Sequence, residues 1–177
     1  MMKQINEKGG GHTVPNSQIR DSSSKIIFGD SHLCSQFLRG YVNIPILKNV
    51  EPEDIEDVSN QYVHMFTEER NSDVVKKVRL KENETSFYLI SLIEHKSRVD
   101  YNVIMQILRY IVYIWEDYER EQEKKHKGIG KTKDFKYPPV LPIVYYDGAA
   151  DWNGDIKLED RIYLSDVFEE YIPNFKC

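Results

Sequence analysis

Residues 87–96 read Phe-Tyr-Leu-Ile-Ser-Leu-Ile-Glu-His-Lys, and this stretch contains the longest apolar run of the chain. A continuous apolar run of this length is typical of a central strand that is buried on both faces of a sheet. The first charged residue after the run is Glu94. A carboxylate rarely ends a buried strand without a partner or a metal ion, because an unpaired charge is costly to bury. The stretch therefore predicts the middle of a sheet and marks Glu94 as a candidate functional residue.

The strand pattern extends on both sides of this run. Ser86 to Lys96 is the full predicted strand, and Asp73 to Leu80 is a second one that Lys81-Glu82-Asn83-Glu84 connects to it as a hairpin. The remaining predicted elements follow in chain order: a flexible tail over residues 1–20, a helix from Asp21 to Tyr41 broken at Gly29-Asp30, an acidic connector with a short helix over residues 51–70, a helix from Val99 to about Glu123, a buried strand from Val140 to Tyr146, and a loop with a short helix from Leu158 to Tyr171. Residues 21–177 form one predicted domain.

The hairpin predicts a register that brings charged residues together. A two-residue turn would pair Glu82 with Thr85 and set Asp73 directly opposite Glu94. Directly opposed side chains share a face, with Cβ atoms about 4.5–5.5 Å apart. Lys96 lies two residues beyond Glu94 and therefore projects from the same face. In this register two carboxylates and an ammonium converge at the edge of a buried sheet, and a slip of one residue would break the arrangement.

Two carboxylates this close repel each other unless something neutralises them. A divalent cation does so, and Mg²⁺ prefers one or two carboxylates, waters and phosphate oxygens as ligands. Such an ion polarises a phosphodiester and lowers the pKa of an attacking water, and a neighbouring lysine such as Lys96 stabilises the developing charge. Asp73, Glu94 and Lys96 thus have the residue types that metal-assisted phosphodiester hydrolysis requires. The alternative is a cross-strand salt bridge at the end of a hairpin.

The helix from Val99 carries two different stripes. Gln106, Tyr110, Tyr113 and Asp117 form a polar-aromatic stripe on the side of the helix roughly opposite the apolar one. The apolar stripe consists of Ile104, Ile107, Leu108, Ile111 and Trp115. This pattern predicts that the helix contacts the core with one side and a second partner with the other.

Composition limits the classes of function. The 177 residues include 24 basic and 29 acidic ones, which gives a formal net charge of −5. This charge excludes a uniformly basic nucleic-acid coat and a polybasic membrane binder. The longest apolar run is far shorter than the roughly 20 residues of a membrane span, so no membrane partner is expected. With Cys34 and Cys177 as the only cysteines, no disulfide framework is expected, and a cytoplasmic location is the default.

Four segments occur in an order that resembles one protein family. They are Glu69-Arg-Asn-Ser-Asp73, Leu92-Ile-Glu-His-Lys-Ser97, Gln106-Ile-Leu-Arg-Tyr110 and Pro139-Val-Leu-Pro-Ile-Val-Tyr-Tyr-Asp-Gly148. Together they are similar to the recombination-promoting nuclease / putative transposase (YhgA-like) family of the PD-(D/E)XK nuclease superfamily. Asp21-Ser-Ser-Ser-Lys-Ile-Ile-Phe28 resembles the N-terminal helix of that family. The resemblance covers the chain from about Asp21 to its end.

The resemblance implies a restriction-endonuclease-like α/β fold, a central mixed sheet with helices on both sides, and Mg²⁺- or Mn²⁺-dependent DNA cleavage. It implies that Asp73 and Glu94 bind the metal and that Lys96 is the catalytic lysine. Gln106 and Tyr110 match a QxxxY helix motif that shapes the site and contacts phosphate; ordinary helix packing is the alternative for this pair. Many members have Gln in place of Lys96, and members usually continue beyond the point where this chain ends.

Residues 120–137 contain seven basic and three acidic residues, a local charge of +4. Lys124, Lys125 and Lys127 are the predicted nucleic-acid contacts, since neutralised phosphates add salt-dependent affinity. A solvated, mobile loop is the alternative. The expected function is a metal-dependent DNA endonuclease associated with recombination or mobile elements. A non-catalytic nucleic-acid-binding or interaction domain that retains the nuclease fold is the second reading, and assembly into a homodimer stays undecided.

Overall fold

The computed structural model of the chain describes residues 26–62, 74–81, 85–94, 99–146 and 150–175, with residues 92–94 described by their backbone alone. The predicted tail, Asp21 and the predicted domain boundary at residue 21 lie outside these residues. So do the predicted site residues Asp73 and Lys96.

The centre of the fold is a four-stranded sheet in the order β1-β2-β3-β4. The strands are β1 (Ile55–Asp57), β2 (Val74–Leu80), β3 (Thr85–Glu94) and β4 (Val140–Tyr146). The pairs β1–β2 and β2–β3 are antiparallel, whereas β3–β4 is parallel. The apolar run from residue 87 thus lies in an inner strand, and Phe87 to Ser91 are all buried. The prediction of an α/β fold with a central mixed sheet is confirmed at this level.

The register of the β2–β3 hairpin corrects the sequence prediction. Leu80 pairs with Thr85 and Val74 pairs with Ser91, so the pairing is displaced by two residues from the predicted one. Glu82 is therefore not the partner of Thr85, and Asp73 is not placed directly opposite Glu94 by this ladder. Because the displacement is an even number of residues, each strand still presents the predicted set of positions to each face of the sheet.

Helices cover both faces of the sheet. The helices are α1 (Ser31–Tyr41), α2 (Ser59–Tyr62) and α3 (Val103–Lys125). Helix α1 packs through Cys34 and Leu38 on a core that includes Val78, Phe87 and Leu89. Helix α3 packs on the opposite face, whose buried residues are Val58, Tyr62, Val75, Tyr88, Ile90, Val103, Ile104, Ile107, Tyr110, Ile111, Ile114 and Leu158. The alternation of side chains along β2 and β3 thus supplies two separate cores.

The predicted break at Gly29-Asp30 is confirmed. Residues 26–29 are helical, and α1 begins directly after Asp30. The carboxylate of Asp30 accepts a hydrogen bond from the backbone N–H of Leu33 at 3.0 Å, which is the ordinary action of an N-cap aspartate. The new helix start turns the chain so that Phe28 is buried in the α1 core.

The acidic segment from residue 51 contains a strand that the sequence pattern did not predict. After a 3₁₀ turn at Pro52–Asp54, β1 adds to the edge of the sheet, and Asp57 is the register partner of Lys76. The side chain of Lys76 is only 2 % exposed, and its Nζ donates to Asp57 Oδ2 at 2.8 Å and to the carbonyl oxygen of Gly29 at 3.2 Å. Asp57 of β1 thus neutralises the buried Lys76 of β2.

Helix α3 connects the two parallel strands and runs antiparallel to both. It begins four residues later than predicted and ends at Lys125. Beyond β4, the predicted short helix is replaced by two 3₁₀ turns, Leu158–Arg161 and Glu169–Tyr171. Among the described residues, no helix is both long enough and apolar enough to cross a membrane.

Candidate active site at the end of the parallel strands

Glu94 is the last residue of β3 and the register partner of Tyr146, the last residue of β4. Both therefore lie at the carboxyl end of the parallel strand pair, the place where open α/β sheets carry their ligand sites. Position 94 is separated from Tyr88 and Ile90 by an even number of residues. It therefore belongs to the face of the sheet that α3 covers.

Gln106 and Tyr110 lie near the same end of the sheet. Trp115 Nε1 donates to the carbonyl oxygen of Pro138 at 2.9 Å, and Tyr88 N–H donates to the carbonyl oxygen of Pro139 at 2.9 Å, so the middle of α3 is level with Tyr88. From Tyr88 to Glu94 the strand rises about 20 Å, which an antiparallel helix covers in about 13 residues. The first turns of α3, which contain Gln106, are therefore level with the end of β3.

Both side chains are buried, with exposures of 6 % for Gln106 and 1 % for Tyr110. The prediction that their stripe faces away from the core is therefore wrong. In the middle of α3 the exposed positions are Arg109, Val112, Glu116 and Arg120. The polar-aromatic stripe instead belongs to the packed face of the helix, so the structure brings Gln106 and Tyr110 to the sheet face of position 94. This is the arrangement that a role in shaping a site requires, and it also fits helix packing.

A cleft adjoins this end of the sheet. Val144, Tyr146, Trp152 and Ile156 line it, and its volume is about 310 Å³. The rings of Tyr146 and Trp152 meet edge to face with centroids 5.2 Å apart. The indole Nε1 of Trp152 donates to the carbonyl oxygen of Gly154 at 2.8 Å, which fixes the ring. Trp152 was missed by the sequence analysis; the signal for it is an aromatic residue in a turn-rich segment that follows the carboxyl end of a parallel strand.

The acidic residues that the structure describes do not by themselves form a metal centre. No group of three His, Cys, Asp or Glu side chains within the described ranges could hold a metal ion. The backbone of β3 ends at Glu94, and carboxylates are ligands that Mg²⁺ and Mn²⁺ prefer. The two residues predicted to complete the site, Asp73 and Lys96, lie outside the described residues. Asp73 directly precedes β2, and Lys96 follows β3 by two residues.

Tyr62 of α2 and Tyr88 of β3 are buried near the acidic residues Asp117 and Glu121 of α3. Tyr62 and Tyr88 meet edge to face with ring centroids 6.5 Å apart. Burial, with Glu121 and Asp117 nearby, raises the pKa of Tyr88 to about 12. Burial raises the pKa of Tyr62 further, and the neighbouring Tyr88 and Asp117 act in the same direction. Both phenols are neutral at physiological pH, and their edge-to-face contact joins α2 to β3, while Tyr62 also meets Tyr113 of α3 with ring centroids 5.7 Å apart.

The basic segment is packed on α3. Trp115 Nε1 donates to the carbonyl oxygen of Pro138 at 2.9 Å, and the Trp115 and Tyr137 rings lie 5.7 Å apart. Phe135 contacts the rings of Tyr118 and Tyr137 at 5.9 and 5.1 Å. The alternative of a solvated, mobile loop is therefore only partly met: the lysines are exposed to solvent, but the segment packs against α3 through its aromatic residues. The sequence analysis placed Trp115 in the apolar stripe of α3 but did not predict the packing of Tyr118, Phe135 and Tyr137. The signal for that packing is the presence of aromatic residues on both sides of the lysines.

Lys124 and Lys125 are in the last turn of α3, and Lys127 follows the helix; all three are exposed. Glu123 accepts hydrogen bonds from the backbone N–H groups of Gly128 and Gly130, at 2.6 and 3.0 Å. These two hydrogen bonds lower the pKa of Glu123. Gly128 has φ of +85°, a conformation that glycine adopts without strain, so the chain can turn back directly after the helix.

The fold and the candidate site define a mixed α/β protein whose inner strand β3 ends at Glu94. The family described as "Putative transposase, YhgA-like" matches residues 19–177. The chain belongs to this family, which confirms the resemblance seen in its sequence and indicates a function associated with mobile elements and DNA. No curated protein and no solved structure matches the chain significantly.

Proposed function

We propose that the chain is a metal-dependent DNA endonuclease with a core of the PD-(D/E)XK type. The observation that carries the proposal is the position of Glu94, on the inner strand, at the carboxyl end of the parallel pair, on the face that α3 covers with Gln106 and Tyr110. Family membership supports the connection with DNA and mobile elements.

Each site residue has a distinct task in this proposal. Asp73 and Glu94 hold a Mg²⁺ or Mn²⁺ ion, which supplies Lewis-acid chemistry at a phosphodiester when bound. Lys96 is the cation that orients the attacking water and stabilises negative charge on the phosphate oxygens. Gln106 and Tyr110 are positioning residues, since they are buried among the residues of the α3 core. Packing at this depth holds side chains in single rotamers, as a preorganised site requires.

Cleavage of supercoiled plasmid tests the proposal. Wild type is expected to cut in the presence of Mg²⁺ or Mn²⁺ and to stop when a chelator is added. Asp73→Ala and Lys96→Ala are expected to lose about 100-fold or more of the rate, because each removes a group that interacts with charge in the transition state. Tyr110→Phe removes the hydroxyl group and keeps the ring. It should lower the cleavage rate without unfolding the protein. Cutting by Asp73→Ala at the wild-type rate would overturn the assignment.

The second candidate is a nucleic-acid-binding domain that retains the fold without catalysis, and the exposed lysines on an acidic chain favour keeping it. Metal binding distinguishes the two. A ligand at 100 times its Kd stabilises the native state by about 2.7 kcal/mol, which raises the Tm of a chain this size by roughly 5–11 °C. The endonuclease predicts such a shift with Mn²⁺ and its loss in Asp73→Ala. A wild type that binds DNA with no metal-induced shift supports the second candidate.

A further inference from the structure

Three acidic side chains near the end of α3 interact with other groups of the protein. Glu123 is held by the two glycine N–H groups, and Glu119 accepts a hydrogen bond from the Tyr137 hydroxyl. Asp117 pairs with Arg120 at 3.4 Å. In contrast, Lys124, Lys125 and Lys127 are exposed and form no ion pair with any other described residue. The same basic segment carries three more exposed lysines, Lys131, Lys133 and Lys136. We name these six residues the lysine surface.

The lysine surface is held in place before any ligand arrives. Its backbone is fixed at one end by α3, in the middle by Glu123, and at the other end by the packing of Phe135 and Tyr137 on the helix. A preorganised backbone reduces the entropy that binding must overcome. The segment therefore differs from a disordered basic tail, whose ordering would offset much of its electrostatic affinity.

The charge distribution favours a duplex over a membrane or an extended acidic partner. Residues 120–137 carry +4, whereas the whole chain carries −5. A flat anionic membrane would bring its charge near the acidic remainder of the molecule, and at physiological salt such charges act over about 8 Å. A rod can touch one local basic surface and leave the rest of the molecule in solvent. The repeated phosphates of DNA also match lysines that lie one after another along the chain.

The lysine surface lies at the opposite end of α3 from the candidate active site. Lys124 follows Gln106 by 18 residues, which is about 27 Å along the helix axis. The carbonyl oxygen of Pro138, which Trp115 binds, precedes β4 and so lies at the amino end of the parallel strands. A duplex that joined the two places would extend about 8 bp from the scissile phosphate, at 3.4 Å per base pair. Between them, the outward side of α3 carries Arg109 and Arg120 with Glu116.

We propose that the lysine surface anchors the flank of a DNA duplex about 8 bp from the scissile phosphate, and that this anchor is separate from the catalytic groups. The proposal rests on the proposed function for the position of the cut, but the DNA contact itself is independent of cleavage. It predicts that the lysines control affinity and its salt dependence, while the rate constant at saturating DNA depends on Asp73, Glu94 and Lys96.

A matched pair of variants tests this. Lys124→Gln/Lys125→Gln/Lys127→Gln removes three charges from the lysine surface. The control, Lys48→Gln/Lys77→Gln/Lys157→Gln, removes three charges elsewhere and gives the same net charge. Binding to a fluorescein-labelled duplex of about 24 bp is measured by anisotropy at several salt concentrations without divalent metal. The first variant is expected to bind about 10- to 100-fold more weakly, with a salt slope that is shallower by about 2–3, since each phosphate contact contributes about 0.9.

Three further results are expected from the same variants. The control keeps the wild-type Kd and salt slope. A duplex of about 6 bp, which is too short to reach both the lysine surface and the active site, also binds more weakly to the lysine variant, because the lysine contact does not need the catalytic groups. In the plasmid assay the lysine variant has a raised KM and an unchanged kcat. An unchanged salt slope, an equal loss in the control, or a fall in kcat at constant KM would overturn the proposal.

Failure of the proposed function gives a different result. A wild type that never cleaves plasmid but binds the duplex through the lysines, with the expected salt slope, removes the endonuclease and keeps the anchor. A wild type that cleaves, with unchanged affinity in the lysine variant, removes the anchor and keeps the endonuclease. Circular dichroism of each variant confirms that its helical content equals that of wild type.

Discussion

Glu94 and Tyr146 are register partners at the carboxyl ends of β3 and β4, the parallel pair of the sheet. This relationship places the backbone of Glu94 next to Tyr146, whose ring lines the cleft, at the end of the sheet that also receives the first turns of α3. The crossover through α3 is what makes it possible, because parallel strands require a long connection and a helix returns the chain to the same end. The candidate site therefore depends on the parallel pairing of β3 and β4 as much as on the presence of Glu94 in the sequence.

Removal of Asp57 is expected to destabilise the protein more than removal of Lys76. Lys76 is 2 % exposed whereas the Asp57 side chain is 54 % exposed. Asp57→Ala leaves a buried ammonium with the Gly29 carbonyl oxygen as its remaining described partner, which costs about 3–5 kcal/mol. Lys76→Met leaves an aspartate that water can solvate and fills the core, at a cost of about 1 kcal/mol or less. Urea denaturation of both variants measures the difference, and equal losses would contradict it.

Ser91→Ala is expected to leave the stability unchanged or to raise it by about 1 kcal/mol. The Oγ of Ser91 is fully buried and has no hydrogen-bond partner among the described residues, and an unsatisfied polar group carries a desolvation penalty. Ser59→Ala is the control, because Ser59 Oγ accepts a hydrogen bond from Val75 N–H at 2.9 Å. Its loss should cost about 1–3 kcal/mol. Chemical denaturation curves compare the two, and a clear destabilisation by Ser91→Ala would show that the hydroxyl has a partner.

Asp54 should make the protein less stable in acid. Burial acts to raise its pKa, but hydrogen bonds from Glu51 N–H, Lys81 and Arg79 outweigh burial and lower the pKa below its ordinary value. A carboxyl whose pKa is lower in the folded state stabilises that state above the unfolded pKa, near 4, and this contribution disappears as the pH falls through the folded pKa. Asp54→Asn should therefore have a lower Tm than wild type at pH 7, with the two curves converging below about pH 4.

The convergence is measured by thermal unfolding from pH 7 down to pH 3. Glu159→Gln provides the comparison, because Glu159 is half-buried and pairs with the exposed Lys157, and little change in the pH dependence is expected. A constant difference in Tm between wild type and Asp54→Asn over the whole range would contradict the assignment to the Asp54 carboxylate.

Gly154→Ala should disturb the cleft beside Glu94. An added Cβ would lie 2.6 Å from Cζ2 of Trp152 and 2.8 Å from Cγ1 of Val99, so the indole must move. Overpacking of this kind costs about 1–3 kcal/mol. Fluorescence in a Trp115→Phe background reports on Trp152 alone and should shift. Gly40→Ala is the control, since nothing lies within 4 Å of its added Cβ and a helical alanine stabilises by up to about 1 kcal/mol.

The sequence determined most of the sheet but not its register. The apolar run, the strand Val140–Tyr146 and the helix break at Asp30 follow from local pattern. The register was displaced by two because Asn83-Glu84 lacks the glycine that favours a two-residue turn, and the strands instead close around four residues between Leu80 and Thr85. Turn length is decided by small conformational preferences, whereas burial of a long apolar run is a large energy.

The surroundings of α3 could not be predicted from its own pattern. Gln106 and Tyr110 were expected on an outward stripe, yet they are buried in the α3 core. That core includes Tyr62 from α2 and Leu158 from beyond β4, with Trp152 packed against it. These residues are distant in sequence, so a period of 3.6 residues cannot reveal them. The strand β1 was missed for a similar reason, because its ladder with β2 and its Asp57–Lys76 ion pair join residues that are distant in sequence.

The most direct test of the central claim is plasmid cleavage by Glu94→Gln. Glutamine keeps the size of the side chain and removes the charge of Glu94, and Glu56→Gln makes the same change at an exposed position of the edge strand β1. In Mg²⁺, wild type and Glu56→Gln should nick or cut supercoiled plasmid at equal rates, while Glu94→Gln should be slower by about 100-fold or more. Equal cleavage by Glu94→Gln and Glu56→Gln, or cleavage by wild type that a chelator does not stop, would contradict a metal-dependent site at Glu94.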